Sequence, residues 1–344
     1  MAEYISFQPS DFFSTTAFTG TGSALSVTGV GFQPDMSWFK YRAGADNHGL
    51  NDAVRGSTVA IYPNLSVVQG AVAQSVTSFD ADGFSLGTDS TWNTSGNMIS
   101  WNWKMGTTTG IAGSPSITPS AYSFSATAGQ SIIQWTGTGA NGTLPHGLGV
   151  APTFIMVKNL TQATQMWNTY HEAVGNTARL YLNLNSIMNS ATSAWNDTSP
   201  DANLFTVGTN DETNMSAKTM IAYCFAPVKG YSYFDMFTGN GNGNGQMVHT
   251  GFRPAFILIK RTSYGTSNWM LYDSKRLGYN EENAYLETSS TQEEYLTVDI
   301  DILSNGFKLR DTAASVGSAG NSYVFMAFAE FPTVSSNNVA GVAR

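Results

Sequence analysis

Acidic side chains that could cleave a sugar polymer are concentrated late in the sequence. Two adjacent pairs, Glu281–Glu282 and Glu293–Glu294, lie within GYNEENAYLETSSTQEEY. Most glycosidases use two carboxyl groups, one as an acid and one as a nucleophile or base. This stretch is therefore the candidate site for glycan cleavage. Adjacent glutamates in a polar segment are also typical of a solvated surface, and that interpretation is favoured.

The segment DADGFSLGTD, residues 80–89, has the alternating acidic residues of a calcium loop. An EF-hand loop also needs a bidentate glutamate at its twelfth position, and this segment has none. Its Asp82-Gly83 pair is a hairpin-turn signal. We predict a hairpin here, and leave open whether calcium binds near Asp80–Asp89.

Other catalytic patterns are missing from the sequence. The four histidines form no closely spaced pair of the kind that binds zinc, and no Gly-x-Ser-x-Gly elbow is present. The single cysteine, Cys224 in MIAYCFAPV, is predicted to be a small buried residue. We predict no catalytic residue, no metal, no cofactor and no enzymatic activity.

Aromatic rings are the remaining candidates for binding, because sugars stack their apolar faces on exposed rings. Trp92 in GTDSTWNTSGN and Trp195 in SATSAWNDTSPD lie in polar segments that predict loops. Trp92 and Trp195 are therefore the candidate ligand-binding residues. Burial of each ring beneath its own loop is the alternative.

The elements that position these residues recur along the chain. A Thr-Gly turn follows an aromatic residue in FTGTG (18–22), WTGTG (135–139) and FTGNG (237–241). Downstream of each turn, a glycine, a proline and a lysine recur at fixed spacing, and a phenylalanine follows the lysine by 44 to 47 residues. The structural anchors are Gly31, Pro34 and Lys40; Gly149, Pro152 and Lys158; Gly251, Pro254 and Lys260; and Phe84, Phe205 and Phe307.

This recurrence predicts three copies of one unit of about 100 residues, long enough for each to bury its own core. Many short apolar segments separated by Gly and Asn turns predict an all-β protein of three tandem antiparallel β-sandwich repeats, jelly-roll or concanavalin-like. The predicted boundaries are 1–106 for the first repeat with an N-terminal segment, 107–129 for a linker and lead-in to the next strand, 130–228 for the second repeat, 229–332 for the third, and 333–344 for a flexible tail.

Composition limits the partners. Only 12% of the residues are charged, the net charge is −8, and no Lys/Arg cluster could grip a phosphate backbone, so nucleic acid is not expected. The N-terminus has no basic segment followed by an apolar run, so no secretory signal is predicted. No apolar run approaches the ~18 residues of a membrane span, so no membrane insertion is expected.

Three stretches make the chain resemble a known domain: TGVGFQPDMSWFKYR (28–42), HGLGVAPTFIMVKN (146–159) and HTGFRPAFILIKRT (249–262). Together with SWNWK, MIAYCFAPVKGYS and FMAFAE, they resemble a domain repeated in structural, tail-fibre-like proteins of tailed phages, common in phages of marine bacteria and cyanobacteria. The resemblance covers residues 15–332. It implies a lectin-like β-sandwich and a place in the virion, but no established catalytic residue.

The function expected from this resemblance is that of a virion structural protein made in the bacterial host cytoplasm. A tail-associated fibre or adhesin is favoured, a capsid decoration or head-fibre protein is the alternative, and a glycan depolymerase is the third. The expected partners are other virion proteins, further copies of the chain and a host surface glycan. Phe7, Phe12 and Phe13 either attach the chain to the particle or complete the first repeat.

Overall fold

The computed structural model describes residues 7–276 and 282–332. Every strand pairing in these ranges is antiparallel. The α-helices are single turns: α1 (Ser90–Asn93), α2 (Thr192–Trp195) and α3 (Asp211–Asn214). The predicted all-β class is therefore confirmed. No helix among the described residues is long and apolar enough to cross a membrane.

A first strand set follows a 3-10 turn at Pro9–Asp11 and forms two sheets. Its strands are β1 (Phe13–Gly20), β2 (Leu25–Thr28), β3 (Met36–Tyr41), β4 (His48–Asp52), β5 (Gly56–Ile61), β6 (Gly70–Ala71), β7 (Val76–Asp80), β8 (Gly83–Leu86) and β9 (Gly96–Trp103). The larger sheet has the order β1-β9-β3-β4-β5-β6, and the smaller one β2-β8-β7.

A second strand set also forms two sheets. Its strands are β10 (Ala121–Ser125), β11 (Gln130–Thr136), β12 (Gly142–Pro145), β13 (Phe154–Asn159), β14 (Asn168–His171), β15 (Ala178–Tyr181), β16 (Asn189–Ser190), β17 (Leu204–Val207) and β18 (Thr219–Phe225). The larger sheet has the order β10-β11-β18-β13-β14-β15-β16, and β12 pairs with β17 in the smaller one.

The third strand set is one continuous sheet. Its strands are β19 (Ser232–Thr238), β20 (Met247–His249), β21 (Phe252–Arg261), β22 (Met270–Asp273), β23 (Glu282–Glu287), β24 (Tyr295–Leu303), β25 (Gly306–Leu309) and β26 (Ser322–Pro332). Their order is β19-β26-β21-β22-β23-β24-β25-β20. In all three sets, the closing strand lies between the strand before the Thr-Gly turn (β1, β11 or β19) and the strand that carries the anchor lysine.

The lysine-bearing strands β3, β13 and β21 are apolar on both faces because each separates two cores. In β21, Ile257 and Ile259 join an apolar cluster of the third set alone, whereas Phe256 and Leu258 point into a second cluster. The phenylalanine anchors fill the clusters that belong to single sets: Phe84 in the first, Phe205 in the second and Phe307 in the third.

The second cluster, here called the central core, is shared by all three strand sets. At its middle, Trp103, Phe225 and Phe328 form a triangle of rings, with centroid separations of 5.8 Å, 6.4 Å and 5.7 Å. The sequence predicted units that each bury a core of their own. The structure adds a common core, because the large sheet of each set has a second apolar face that must also be covered.

Each Thr-Gly turn is fixed by a close approach of two backbones. A Cβ atom on Gly20 or Gly137 would lie 2.1 Å from the carbonyl oxygen of Thr94 or Met215. Gly239 approaches the carbonyl oxygen of Ser318 in the same way, at 2.4 Å. Glycine recurs at this turn because a side chain would collide with the loop before the closing strand.

The segment predicted as a linker is packed onto the second set. Ile117 is buried in that set's core, and its backbone N–H donates to the Thr143 carbonyl at 3.0 Å. The lead-in strand begins at Ala121. The predicted tail, residues 333–344, lies outside the described residues.

The N-terminal phenylalanines complete the central core. Phe13 stacks on Phe328 with 5.1 Å between ring centroids, and Phe7 contacts Phe12 at 4.9 Å and Tyr231 at 5.3 Å. The structure therefore shows these rings packed within the fold, as in the interpretation that they complete the first repeat. Their contacts also extend to the third strand set.

Candidate functional site

Trp92 lies inside the first strand set. Its side chain is 0% exposed, and its indole N–H donates to Asn51 Oδ1 at 2.7 Å. The ring occupies space that Gly49 leaves free, since a Cβ on Gly49 would come within 2.5 Å of it. The alternative of burial beneath its own loop is what the structure shows, so Trp92 offers no surface for stacking a sugar.

Trp195 is buried in the second set for a similar reason. Its side chain is 2% exposed, packs against Tyr170 with 5.7 Å between ring centroids, and donates its indole N–H to the Ala178 carbonyl at 3.0 Å. Polar neighbours in sequence suggested an exposed ring. The indole nitrogen instead finds a backbone acceptor within the fold, which makes burial of the ring favourable.

The carboxylates of the candidate calcium loop are engaged by the chain itself. Asp82 accepts hydrogen bonds from the backbone N–H groups of Gly29 and Gly31, at 3.0 and 2.7 Å, and these bonds lower its pKa. Asp80 accepts from the hydroxyls of Ser78 and Ser85. Among the described residues, no group of three or more His, Cys, Asp or Glu side chains is placed to hold a metal ion.

One of the four candidate glutamates joins two strand sets. Glu294 accepts two hydrogen bonds from the Arg42 guanidinium, at 2.7 and 2.9 Å, and lies 3.4 Å from Arg276. Glu281 lies outside the described residues. The paired arrangement with Arg42 gives Glu294 a positioning role at a contact between the third and first sets.

The glycine and proline anchors sit where the chain turns into the lysine-bearing strand. Gly31, Gly149 and Gly251 have φ values of 92°, 72° and 82°, a region that glycine adopts without strain. Pro34 and Pro152 lie two residues before their strands, whereas Pro254 lies within β21 at a shift in its register.

The three lysine anchors are charged groups placed in the protein interior. Lys40, Lys158 and Lys260 are fully buried and face the central core, at the far end of their strands from the ring triangle. Each ammonium group donates to the backbone carbonyl of the loop that follows its own strand: Asp46, Gln165 or Ser267. Two of them also reach across to another set.

These crossing bonds connect the sets in order. Lys40 donates to the Thr291 carbonyl of the third set at 3.2 Å, and Lys260 donates to the Leu184 carbonyl of the second set at 3.4 Å. Burial lowers the pKa of Lys40 and Lys158 to about 8, and that of Lys260 to about 7. The loss of water around the buried ammonium groups thus favours the neutral amine, although each group still donates to backbone carbonyls.

A second layer of crossing bonds lies near the strand that follows each lysine-bearing strand, that is β4, β14 or β22. The residue that makes each bond lies four positions before the last residue of that strand. The Trp167 indole N–H donates to the Tyr62 carbonyl at 3.0 Å, and the Trp269 indole N–H donates to the Tyr181 carbonyl at 2.8 Å. In the first set the corresponding residue is His48, whose Nε2 lies 3.1 Å from the Glu287 carbonyl. Each set therefore contacts the preceding one, and the first contacts the third.

A third layer places buried acids at the ends of β4 and β22. Asp52 accepts from the Tyr223 hydroxyl at 2.6 Å, and Asp273 accepts from the Trp101 indole N–H at 3.1 Å. Each acid also forms an ion pair at 2.6 Å with an arginine three residues later, Arg55 for Asp52 and Arg276 for Asp273. These pairs satisfy charges that would otherwise be costly to bury.

The second set replaces this acid with a histidine. His171 occupies the same strand register as Asp52 and Asp273, and its Nε2 lies 3.3 Å from the Phe325 carbonyl. In the third set, the residue in the same register as the donors Trp101 and Tyr223 is Met326, whose side chain has no N–H or O–H. A neutral imidazole suits this site, and burial lowers the His171 pKa to about 4.

The crossing contacts of the lysine, indole and acid layers are here called the junctions. The sequence predicts the lysines as recurring anchors but does not predict that they, or the residues of the other two layers, contact another set. The loop after Lys40 is one residue shorter than its counterparts, and His48 stands where the others have tryptophan. The three sets can instead be aligned on Asp52, His171 and Asp273. In that alignment, His48, Trp167 and Trp269 each lie four residues earlier.

The family of the chain follows from a comparison with protein-family models. One model, described as a domain of unknown function (DUF7483), matches residues 8–332. The chain belongs to the DUF7483 family. No curated protein and no solved structure matches it. The family match extends over all three strand sets together, as the junctions do.

The junctions can fix the large sheets of the three strand sets relative to one another. Their donors and acceptors lie in the protein interior, and most acceptors are backbone carbonyls, which carry out no chemistry of their own. Cys224 is buried as well, and burial raises its thiol pKa. The buried polar groups of this DUF7483 chain therefore have a positioning role.

Proposed function

We propose that the chain consists of three related β-sandwich units arranged around an approximate threefold axis through the Trp103–Phe225–Phe328 triangle. The corresponding strand orders support this arrangement. The direction of the crossing bonds supports it further, since the second unit bonds to the first, the third to the second and the first to the third. Such a ring has no free end, so the three units stabilise one another.

The function we propose is that of a structural protein of a phage particle, favoured as a tail-associated fibre or adhesin. The observation that carries this proposal is the closed ring of junctions, which makes a rigid body from three sheets with few surface charges. Rigid modules that display repeated surfaces gain avidity from several weak contacts. The resemblance to structural proteins of tailed phages supports the same assignment.

A capsid decoration or head-fibre protein is the second candidate. The burial of Trp92 and Trp195 favours it, because those rings were the candidates for glycan contact in an adhesin. A decoration protein needs a surface that binds other virion proteins, and does not need a sugar-stacking ring.

Particles of the phage that encodes this chain provide the test. The chain would be tagged at its C-terminal end, and the tag located on purified particles by electron microscopy. Tags on the tail support the fibre or adhesin, and tags over the head support the decoration protein. Purified particles that contain no tagged chain, despite expression in the infected cell, would contradict both proposals.

We infer further that the chain acts without catalysis. Glu294 supports this, since its carboxylate is held by two arginines at a junction. The purified protein is expected to release no reducing ends from host capsule or lipopolysaccharide. Release that disappears in a Glu293→Gln variant would instead establish a depolymerase.

A further inference from the structure

β1 forms one edge of the large sheet in the first strand set and, among the described residues, pairs with β9 alone. The Lys104 N–H donates to the Phe12 carbonyl. Because hydrogen bonding alternates along an antiparallel pair, every second residue of β1 then bonds to β9 and the others face outward. The outward residues are Phe13, Thr15, Ala17 and Thr19. Within residues 7–276 and 282–332, their backbone N–H and C=O groups form no hydrogen bond.

The corresponding edge in the second strand set is covered by another strand. β11 corresponds to β1, since both lead into a Thr-Gly turn, and β10 pairs along the outer edge of β11. In this pair Ser123 lies opposite Ile132, and the Ser123 hydroxyl also donates to the Asp35 carboxylate of the first set at 3.4 Å. β10 therefore shows what such an edge accepts: five extended residues, antiparallel, from the chain just before the strand.

The third strand set protects the same edge in another way. The backbone of Val228 forms a bridge with Ser232 at the start of β19, and the Asp235 carboxylate accepts from the Met236 N–H at 2.8 Å. A charged side chain at an edge hinders the addition of a further strand. Among the described residues, β1 has neither device.

Thr15 is the buried residue of this edge that lacks a polar partner. It is 6% exposed, and its hydroxyl has no hydrogen-bond partner among the described residues. It corresponds to Ile132, the residue opposite Ser123 in the second set. Because buried main-chain and side-chain polar groups are nearly always hydrogen-bonded, Thr15 indicates that a polar partner lies against the edge.

The sequence before β1 matches the sequence of β10. Gly20 and Gly137, in the Thr-Gly turns, are 117 positions apart. The same step places YISFQ (4–8) on AYSFS (121–125), with Ser-Phe at the same place in both. Four residues then separate each segment from its strand, β1 or β11. The segment 4–8 is therefore the counterpart of β10 in the first set.

The first described residues lie beside this edge. Phe7 packs against Phe12, the residue before β1, with 4.9 Å between ring centroids. The Gln8 N–H donates to the Asp11 carboxylate within the 3-10 turn, so pairing along β1 has to involve residues before Gln8. Residues 1–6 lie outside the described residues. Six extended residues span about 20 Å, enough to follow the outward residues of β1.

We propose that residues 2–6 pair antiparallel with the outer edge of β1 in the same molecule, as β10 pairs with β11. The β10–β11 register, moved by 117 positions, places Ser6 opposite Thr15 and Tyr4 opposite Ala17. The N-terminal segment thereby supplies hydrogen-bond partners to the outward groups of β1. It also closes this edge against pairing with the sheets of other molecules.

Disulfide trapping tests the proposal. The same register places Ile5 opposite Thr16, a residue whose backbone bonds to β9, so their Cα atoms are expected about 4.5 Å apart, within the range that a disulfide spans. The native Cys224 is buried and does not interfere. In the variant with Ile5→Cys and Thr16→Cys, mild oxidation is expected to link the two cysteines within one molecule in most of the protein.

A second pair, Ile5→Cys with Met236→Cys, is the matched control. Met236 is 43% exposed on the edge of β19, and Phe7 lies 5.3 Å from Tyr231, just before that strand, so a segment that continued toward the third set would reach it. This pair is expected to stay reduced. Equal or better linking to Met236→Cys would overturn the proposal, as would links formed only between two molecules, or no link in either pair.

Hydrogen exchange provides a measurement without added cysteines. In the full chain the amides of Thr15, Ala17 and Thr19 are expected to be protected. Removal of residues 1–6 should make these amides exchange roughly tenfold faster or more, whereas the amides of Ser14, Thr16 and Phe18, which bond to β9, keep their protection. Outward amides that exchange equally fast in both proteins would also overturn the proposal. Both measurements use the purified chain, so their failure would leave the assignment to a phage virion intact.

Discussion

At the scale of single residues, the buried lysines give the molecule a distinctive pH dependence. Burial lowers the pKa of Lys260 to about 7 and of Lys40 and Lys158 to about 8, whereas in the unfolded chain all three keep the ordinary value of 10.5. Between these values the unfolded chain binds more protons than the folded one. The free energy of unfolding therefore rises with pH through this window.

We expect the free energy of unfolding to increase by roughly 3 to 5 kcal/mol between pH 7 and pH 9, since each full pKa unit contributes about 1.4 kcal/mol. Urea unfolding at closely spaced pH values measures this increase. In Lys260→Met the increase should fall by about half, because that lysine has the lowest pKa. Lys229→Met, at an exposed lysine, should keep the full increase, and a wild-type stability that is flat or falling in this range would contradict the expectation.

A second residue-scale prediction concerns the acid layer. Tyr223→Phe removes the hydroxyl that donates to the buried Asp52 carboxylate. The loss should cost about 1 to 3 kcal/mol, the usual range for a hydrogen bond to a charged group. Tyr233→Phe removes a hydroxyl that donates to Asp235 on a half-buried surface, and should cost less. Equal losses in the two variants would argue against a special role for the acid layer.

At the scale of elements, the Thr-Gly turn at the end of β1, β11 or β19 packs against the loop before the closing strand. Gly137→Ala would place a Cβ 2.1 Å from the Met215 carbonyl oxygen, and the backbone would have to move. We expect a loss of more than about 2 kcal/mol in unfolding free energy, beyond the effect of an ordinary surface change. Gly70→Ala is the control, since a Cβ there meets nothing within 4 Å. A Gly137→Ala protein as stable as the control would show that the loop yields readily.

How much of these elements the sequence could predict depends on the range of the contacts. The apolar pattern of β21 and the recurring turns are local, so the all-β class and the equivalence of Phe84, Phe205 and Phe307 could be predicted from spacing. The placement of Trp92 depends instead on Gly49, more than 40 residues away, where the other sets have Asn168 and Met270. Polarity of the surrounding loop could not reveal the space that a distant glycine leaves.

At the scale of the whole molecule, the same limit applies to the junctions. Recurring anchors indicate three similar parts, but a spacing along the chain contains no information on which part contacts which. His171 replaces the acid where the third set has Met326 in the register of Trp101 and Tyr223, so the partners at this junction differ together. That matching becomes visible only when the partners are known.

The shared core predicts that the three strand sets unfold together. Phe307→Ala removes a ring from the core of the third set alone, and should cost about 3 to 5 kcal/mol. Because the central core and the junctions connect this set to the other two, we expect calorimetry to show one transition for the whole chain, shifted to lower temperature as a unit. Phe84→Ala, in the first set, should shift the same single transition. A calorimetric trace in which Phe307→Ala separates an early transition from a remainder at the wild-type temperature would show three independent domains instead.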